Sequence, residues 1–176
     1  GTEPATLNAY VTLNHFKPDL CINAGTAGGF VEQGAKIGDV YLSSGAFCFH
    51  DRRIQIAGFD EYGIGNYPVF EMPEMAQVLG LKEGIVTTAN SLDYSDLDMA
   101  MMKKNKGSIK EMEAAGIAWV ANLLGIRLFA IKAITDFVDS HHPTAEQFIQ
   151  NFTIASRSLN EKVLATLNYL SKNPIP

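Results

Sequence analysis

Two short segments place charged side chains where the surrounding pattern is apolar. Glu111-Met112-Glu113 sets two carboxylates at the mouth of an apolar helical stripe. Ile131-Lys132-Ala133-Ile134-Thr135-Asp136 sets a lysine inside a strand-like run and an aspartate at its end. Such groups can protonate a leaving group or stabilise developing charge. Open α/β sheets bind ligands outside the carboxyl ends of their strands, so these acids can share one cleft. Lys132 and Asp136 lie on one face of a period-two strand but about 13 Å apart by strand rise, too far to pair directly. Capping of the following turn is the structural alternative for Asp136.

The two glutamates read differently. Ser108-x-x-Glu111 fits a helix capping box, which gives the Glu111 side chain a structural role. Glu113 sits beside Met112 at the edge of the buried stripe, where a carboxylate needs water or hydroxyl partners. Upstream, Asn23-Ala24-Gly25-Thr26-Ala27-Gly28-Gly29 reads as a glycine-rich turn after a short strand, able to approach a ligand closely or simply to reverse the chain. It is neither G-x-G-x-x-G nor a P-loop, which excludes a dinucleotide or triphosphate fingerprint. His50-Asp51 has no G-x-S-x-G or other nucleophile motif to serve. His141-His142-Pro143 reads as a polar turn, and the four histidines lack metal-ligand spacing, so no metal is expected.

The elements that must carry these groups alternate. Pro4 opens a helix whose Leu7, Tyr10, Val11 and Leu13 fall mostly on one side and which ends at Lys17-Pro18. Leu20–Ala24, Val40–Phe49, Gly84–Thr88 and Leu128–Ile134 read as strands, the second with a bulge at Ser43-Ser44-Gly45. From Ile109 a helix is expected, with Met112, Ala115, Gly116, Trp119, Val120, Leu123 and Leu124 as its core stripe and Gly125 as its stop. A Thr144-x-x-Gln147 capping box opens a final helix to about Leu170. Buried strands alternating with amphipathic helices predict an α/β chain, a three-layer α/β/α sandwich in one domain over residues 1–176. Residues 54–73, rich in Phe59, Tyr62, Tyr67 and Phe70, read as a loop or irregular hairpin that covers the core or faces a partner.

Composition narrows the classes. The chain has 47% apolar or aromatic residues, a net charge of -5 and no basic run longer than Lys103-Lys104, which argues against nucleic-acid and anionic-membrane binding. No apolar stretch approaches the roughly 18 residues of a membrane span, so a cytoplasmic location is expected. Cys21 and Cys48 read as buried free thiols.

Asn23–Gly29, Glu111–Glu113, Lys132–Asp136 and Thr87–Ser95, together with His50-Asp51-Arg52-Arg53-Ile54, resemble the methylthioadenosine and adenosylhomocysteine nucleosidases. The plant members of this nucleoside phosphorylase superfamily are the most similar. The resemblance implies a mixed sheet of the nucleoside phosphorylase type and hydrolysis of methylthioadenosine to adenine and methylthioribose in methionine salvage, with adenosylhomocysteine as a possible second substrate and no cofactor. It implies that Asp136 protonates N7 of adenine and that Lys132 helps hold the attacking water. Thr26, Gly28, Leu92, Lys110, Glu111, Met112 and Glu113 become substrate contacts, Glu113 at the ribose 2′-hydroxyl and Leu92 at the base. A homodimer is implied, in which residues 54–73 of one subunit help close the other's site. The family usually shows Gly-Asp where this chain has Ala89-Asn90. The family pattern also begins with a strand-rich segment that would precede Gly1 and carries the water-activating glutamate, so the chain is expected to correspond to its C-terminal two thirds. A non-catalytic adenine-nucleoside-binding or storage relative and a purine nucleoside phosphorylase are the alternatives.

Overall fold

The structure is a computed structural model that describes residues 1–51 and 56–175. Arg52, Arg53 and Ile54, part of the expected family marker and aromatic loop, lie outside the described residues. Among those described, six strands form one mixed sheet in the order β3-β2-β4-β5-β1-β6. In it, β1 (Leu20–Gly29) runs parallel to β6 (Arg127–Phe137) along its whole length and meets β5 (Ile109–Glu111) antiparallel at Gly28 and Gly29. The expected turn at Asn23–Gly29 is therefore strand. Ladder pairing with β6, and with β5 as well at Gly28 and Gly29, offsets the conformational freedom of its glycines.

β2 (Val40–Phe49) runs parallel to β4 (Lys82–Thr88) with an irregularity between Ser43 and Phe47, where Gly45 takes a φ of 72°. The bulge read from Ser-Ser-Gly is present. β2 also pairs antiparallel with β3 (Gly65–Pro68) and, through Val40–Leu42, with β6, so the ladder closes on itself.

Helices cover both faces, as the three-layer expectation requires. Helices α1 (Thr2–Phe16) and α4 (Ala114–Leu123) pack on one side, with Leu128, Ala130 and Ile134 of β6 beneath them. Helices α2 (Pro73–Leu79) and α5 (Thr144–Lys172) pack on the other, over Phe129, Ile131 and Ala133. Period-two alternation along β6 thus sends Lys132 toward the α4 side. The short helix α3 (Asp96–Lys104) begins in a capping box of Ser95 and Asp98.

Three local expectations need correction. No helix starts at Ile109: residues 109–111 form β5, and α4 begins only at Ala114, with Glu113 as its N-cap residue. Ser108 is not a cap; its N–H donates to the Ile85 carbonyl. Three residues wedged between β4 and β1 show no periodicity of their own, so only their partners make them a strand. The stripe of α4 is also split. Ala115, Gly116 and Val120 are buried or nearly so, whereas Trp119 is 56% and Leu123 71% exposed. Small residues bring α4 close to the sheet, leaving the large ones outside. At the last helix the N-cap is Pro143, without a side-chain cap. Gln147 turns back instead, donating to Ser140 Oγ and the His142 carbonyl at 2.9 Å each and accepting from Phe137 N–H at 3.2 Å.

Close contact between α1 and α4 rests on Gly116, where an added Cβ would press on Thr6 Oγ1 and lie 3.0 Å from the Thr2 carbonyl. Gly116→Val is expected to cost about 1–3 kcal/mol through overpacking, read as a lowered midpoint in urea unfolding.

Candidate active site

Lys132 Nζ and Glu111 Oε2 form an ion pair of 2.9 Å, both side chains almost fully enclosed. Glu111 gathers four donors. Thr88 Oγ1 donates to Oε1, while Oε2 also accepts from the N–H groups of Glu113 at 3.0 Å and Ala114 at 2.8 Å. Burial works to raise the Glu111 pKa, but Lys132, Thr88 and the Ala114 N–H together hold it below the usual carboxylate range. The capping role expected of Glu111 is real in kind: its carboxylate serves the first turn of α4 from the end of β5. Thr88 had no role assigned from sequence. It ends β4, and its oxygen also accepts from Ala115 N–H at 3.1 Å, which leaves its proton for Glu111. A hydroxyl at the carboxyl end of an apolar strand was the available signal.

Asp136 stands farther along β6. One extra β6 residue, Thr135, enters the ladder where Ala27 and Gly28 face Ile134 and Asp136, and this bulge re-aims the carboxylate over β1. Gly28 makes room for it: a Cβ there would lie 2.6 Å from Asp136 Oδ2. Gly25 likewise faces Lys132, its added Cβ falling 3.3 Å from Nζ. Two glycines three residues apart on β1 therefore leave space for a cation and an acid spaced roughly 10 Å along the strand. Half-buried Thr26 lies between them.

Burial pushes the Asp136 carboxyl above its ordinary range, opposed by the Thr135 hydroxyl and by the positive charge of Lys110. Thr135 Oγ1 lies 2.6 Å from Asp136 Oδ1 and 3.3 Å from the Ala27 carbonyl. The hydroxyl reaches both acceptors as a three-centre donor, with its shorter branch to the carboxylate.

The remaining expected residues surround this row. Lys110, opposite Gly28 on β5, is buried with its ammonium on the carbonyls of Ser91, Leu92 and Asp93. Burial lowers its pKa, while Asp136 and Asp93 pull it back up. Leu92 is 39% exposed and Met112 half-buried. Glu113 is partly open, its Oε1 2.8 Å from the Gly1 nitrogen. Ala89 keeps a φ outside the left-handed region, so no glycine is needed there. Asn90 uses both ends of its amide, accepting from Thr2 N–H and Oγ1 at 2.7 Å and donating to Asp51 Oδ2 at 3.0 Å. An aspartate could not make the last bond. His50 is buried with Nδ1 2.8 Å from Thr87 Oγ1, away from any nucleophile role.

The sequence profile of the phosphorylase superfamily matches residues 1–168. The chain belongs to that superfamily. Within it, the chain is 44% identical over 171 residues to the 5′-methylthioadenosine nucleosidase of Arabidopsis thaliana, covering 97% of this chain and 64% of the relative. It is 40% identical to the 5′-methylthioadenosine/S-adenosylhomocysteine nucleosidase of the same plant, covering 97% and 67%. The apo structure of the Arabidopsis 5′-methylthioadenosine nucleosidase superposes with a TM-score of 0.92 at 43% identity, over all of this chain and 71% of that one. This superfamily member thus spans about two thirds of the length of the relatives it matches.

Removing the carboxylate while leaving Lys132 buried is costly: Glu111→Leu is expected to lose about 3–5 kcal/mol, and adding Lys132→Met should recover much of it. Because the folded pKa of Glu111 lies below its ordinary 4.5, its stabilisation is present above that value and fades as pH falls through the folded one. The double variant should therefore show a shallower acid limb in denaturation across pH. Asp136 has the opposite sign. Its raised pKa favours folding below the ordinary 3.8 and costs stability as pH rises through the folded value, so Asp136→Asn is expected to be more stable at neutral pH.

Proposed function

We propose that this protein hydrolyses the N-glycosidic bond of 5′-methylthioadenosine, giving adenine and methylthioribose as in methionine salvage. The observation that carries this reading is the buried Asp136 carboxyl, held over Gly28 one short run of β1 from the Lys132–Glu111 pair. The 44% identity to a plant nucleosidase supports it. Adenine leaves poorly as an anion, and a proton from Asp136 to N7 neutralises it as the C–N bond breaks. Water then adds its hydroxyl to the sugar carbon from which adenine has left, and the proton that this water gives up restores the Asp136 acid, so that neutral adenine and methylthioribose leave. Lys132, with two ammonium donors beyond the one given to Glu111, holds that water. Glu113 receives the ribose 2′-hydroxyl and opposes the positive charge that develops on the sugar. Met112 packs against the ribose, Thr26 and Gly28 line its water side, and Leu92 meets the base. Lys110 and Glu111 hold the elements that present these groups. S-adenosylhomocysteine, a substrate named for the second plant relative, fits the same chemistry.

The acting unit in this reading is a homodimer. Leu7 and Tyr10 of α1, Trp119 and Leu123 of α4, and Tyr62, Ile64 and Tyr67 line an apolar groove of ≈830 Å3 beside Ala115 and Gly116. The stripes that both helices fail to bury inside the protomer meet there, next to the Glu113 end of the site. A second copy would remove that surface from water. Among the described residues no helix is long and apolar enough to cross a membrane. Cys21 and Cys48 are free, and burial raises both thiol pKa values, in keeping with the reducing cytoplasm we propose.

Purified protein is expected to release adenine from methylthioadenosine at the same rate with and without phosphate, and Asp136→Asn to lower kcat/KM by about 10²–10⁴. Release that requires phosphate would make the protein a phosphorylase. Adenine binding without release would make it a non-catalytic relative. Sedimentation is expected to give a dimer, and Trp119→Lys to shift it toward monomer.

A further inference from the structure

The carbonyls of three successive residues, Ser91, Leu92 and Asp93, converge on one ammonium. Lys110 Nζ lies 2.6 Å from the Leu92 oxygen, 2.9 Å from that of Asp93, and bonds to that of Ser91 as well, with the lysine 5% exposed. An ammonium has three donors, so the loop uses all of them and none is left for a ligand. A trans peptide plane points its carbonyl and the next N–H in opposite directions. Three carbonyls drawn to one point therefore turn the N–H groups of Leu92, Asp93 and Tyr94 away from it together. Either side of this stretch is fastened otherwise. Ala89 N–H donates to the Glu111 carbonyl at 3.1 Å, Asn90 bonds Thr2 and Asp51, and Ser95 starts α3 through its capping box. Lys110 is also the residue before Glu111 and lies in one row with Gly28 and Asp136. The same strand register therefore sets the acid and the anchor of the loop.

We propose that Lys110 is a positioning residue whose ammonium sets the conformation of residues 91–93 and, through it, the affinity and selectivity of the purine side of the pocket. The purine part rests on the nucleosidase reading above; the loop-holding part does not.

Lys110→Met keeps length and removes the donors, and Lys110→Gln keeps fewer of them. Amide chemical shifts and order parameters of Leu92, Asp93 and Tyr94, with β6 amides as the reference for global folding, read the loop alone. Calorimetry with adenine and steady-state kinetics with methylthioadenosine read the pocket. Loss of the charged hydrogen bonds is expected to shift the 92–94 resonances and lower their order parameters, with the β6 amides unchanged. Adenine Kd and KM are expected to rise by about 10-fold, with kcat within about threefold and the Gln variant between Met and wild type. Unchanged shifts and order parameters at 92–94 in the Met variant overturn the proposal, as does a fall in kcat at constant KM, which would put Lys110 in the chemistry. Should the Met variant not fold, altered 92–94 resonances in the Gln variant with β6 unchanged support the proposal, and wild-type resonances overturn it. A wild-type protein that neither binds adenine nor releases it defeats the nucleosidase reading, while the resonances of 92–94 still decide the role of Lys110.

Discussion

A carboxylate and an ammonium buried against each other at the meeting of four elements are the constraint around which this protein is arranged. Glu111 ends β5, Lys132 lies within β6, Thr88 ends β4, and the first N–H groups of α4 close the set. Taking two charges out of water is expensive, and an apolar pair of similar volume would hold a core at least as well. What the pair supplies is placement. The positive end of the α4 dipole and two backbone donors favour the Glu111 anion, and the anion in turn fixes where the Lys132 charge can sit. Any shift of α4 along its axis would unpair a buried charge, so the helix that carries Met112 and Glu113 beside its start is tied to the strand that carries Asp136.

Space for these side chains comes from β1. A glycine run in the middle of a sheet is poor for stability and usually marks close approach of another group. Here that group belongs to the protein itself: Lys132 lies over Gly25 and Asp136 over Gly28. Glycine at these two positions leaves room for a cation and an acid over one strand, with Thr26 and Ala27 between them. Small residues serve a second purpose in α4, where Ala114, Ala115, Gly116 and Ala118 let the helix settle against the sheet and α1 against the helix. The cost of that closeness is that Trp119 and Leu123 have nowhere to go within the chain, and with Leu7 and Tyr10 they line an apolar groove.

Much of this was legible in the chain order of residue types. β2 with its bulge, the long last helix, the stop at Gly125 and the sheet covered on both faces follow from apolar period, glycine and proline, all of which act locally. Lys132 and Asp136 stood out because a charge inside a buried strand needs a reason. Other features did not show. β5 is three residues long and is a strand only because β4 and β1 flank it. The glycine run looked like a turn because local conformational preference cannot register that it pairs with β6 throughout and with β5 at Gly28 and Gly29. The periodic stripes of α1 and α4 promised burial, but periodicity reports that a face is apolar, not what lies against it.

The sequence by itself determined the class of fold, the family and the kinds of groups available: acids, a lysine and glycines at strand ends. The fold class and the groups follow from residue type and from spacings within single elements, where the chain's own geometry is sufficient, and the family from the resemblance of several separate segments to known nucleosidases. Only the tertiary structure decided which groups meet. Glu111 pairs with Lys132 rather than capping from Ser108, Thr88 becomes its partner, and Lys110 spends its charge on the 91–93 carbonyls. Each is a contact between residues brought together by strand pairing across β4, β5, β1 and β6, and register between distant strands is a property of the packed sheet that no local pattern encodes.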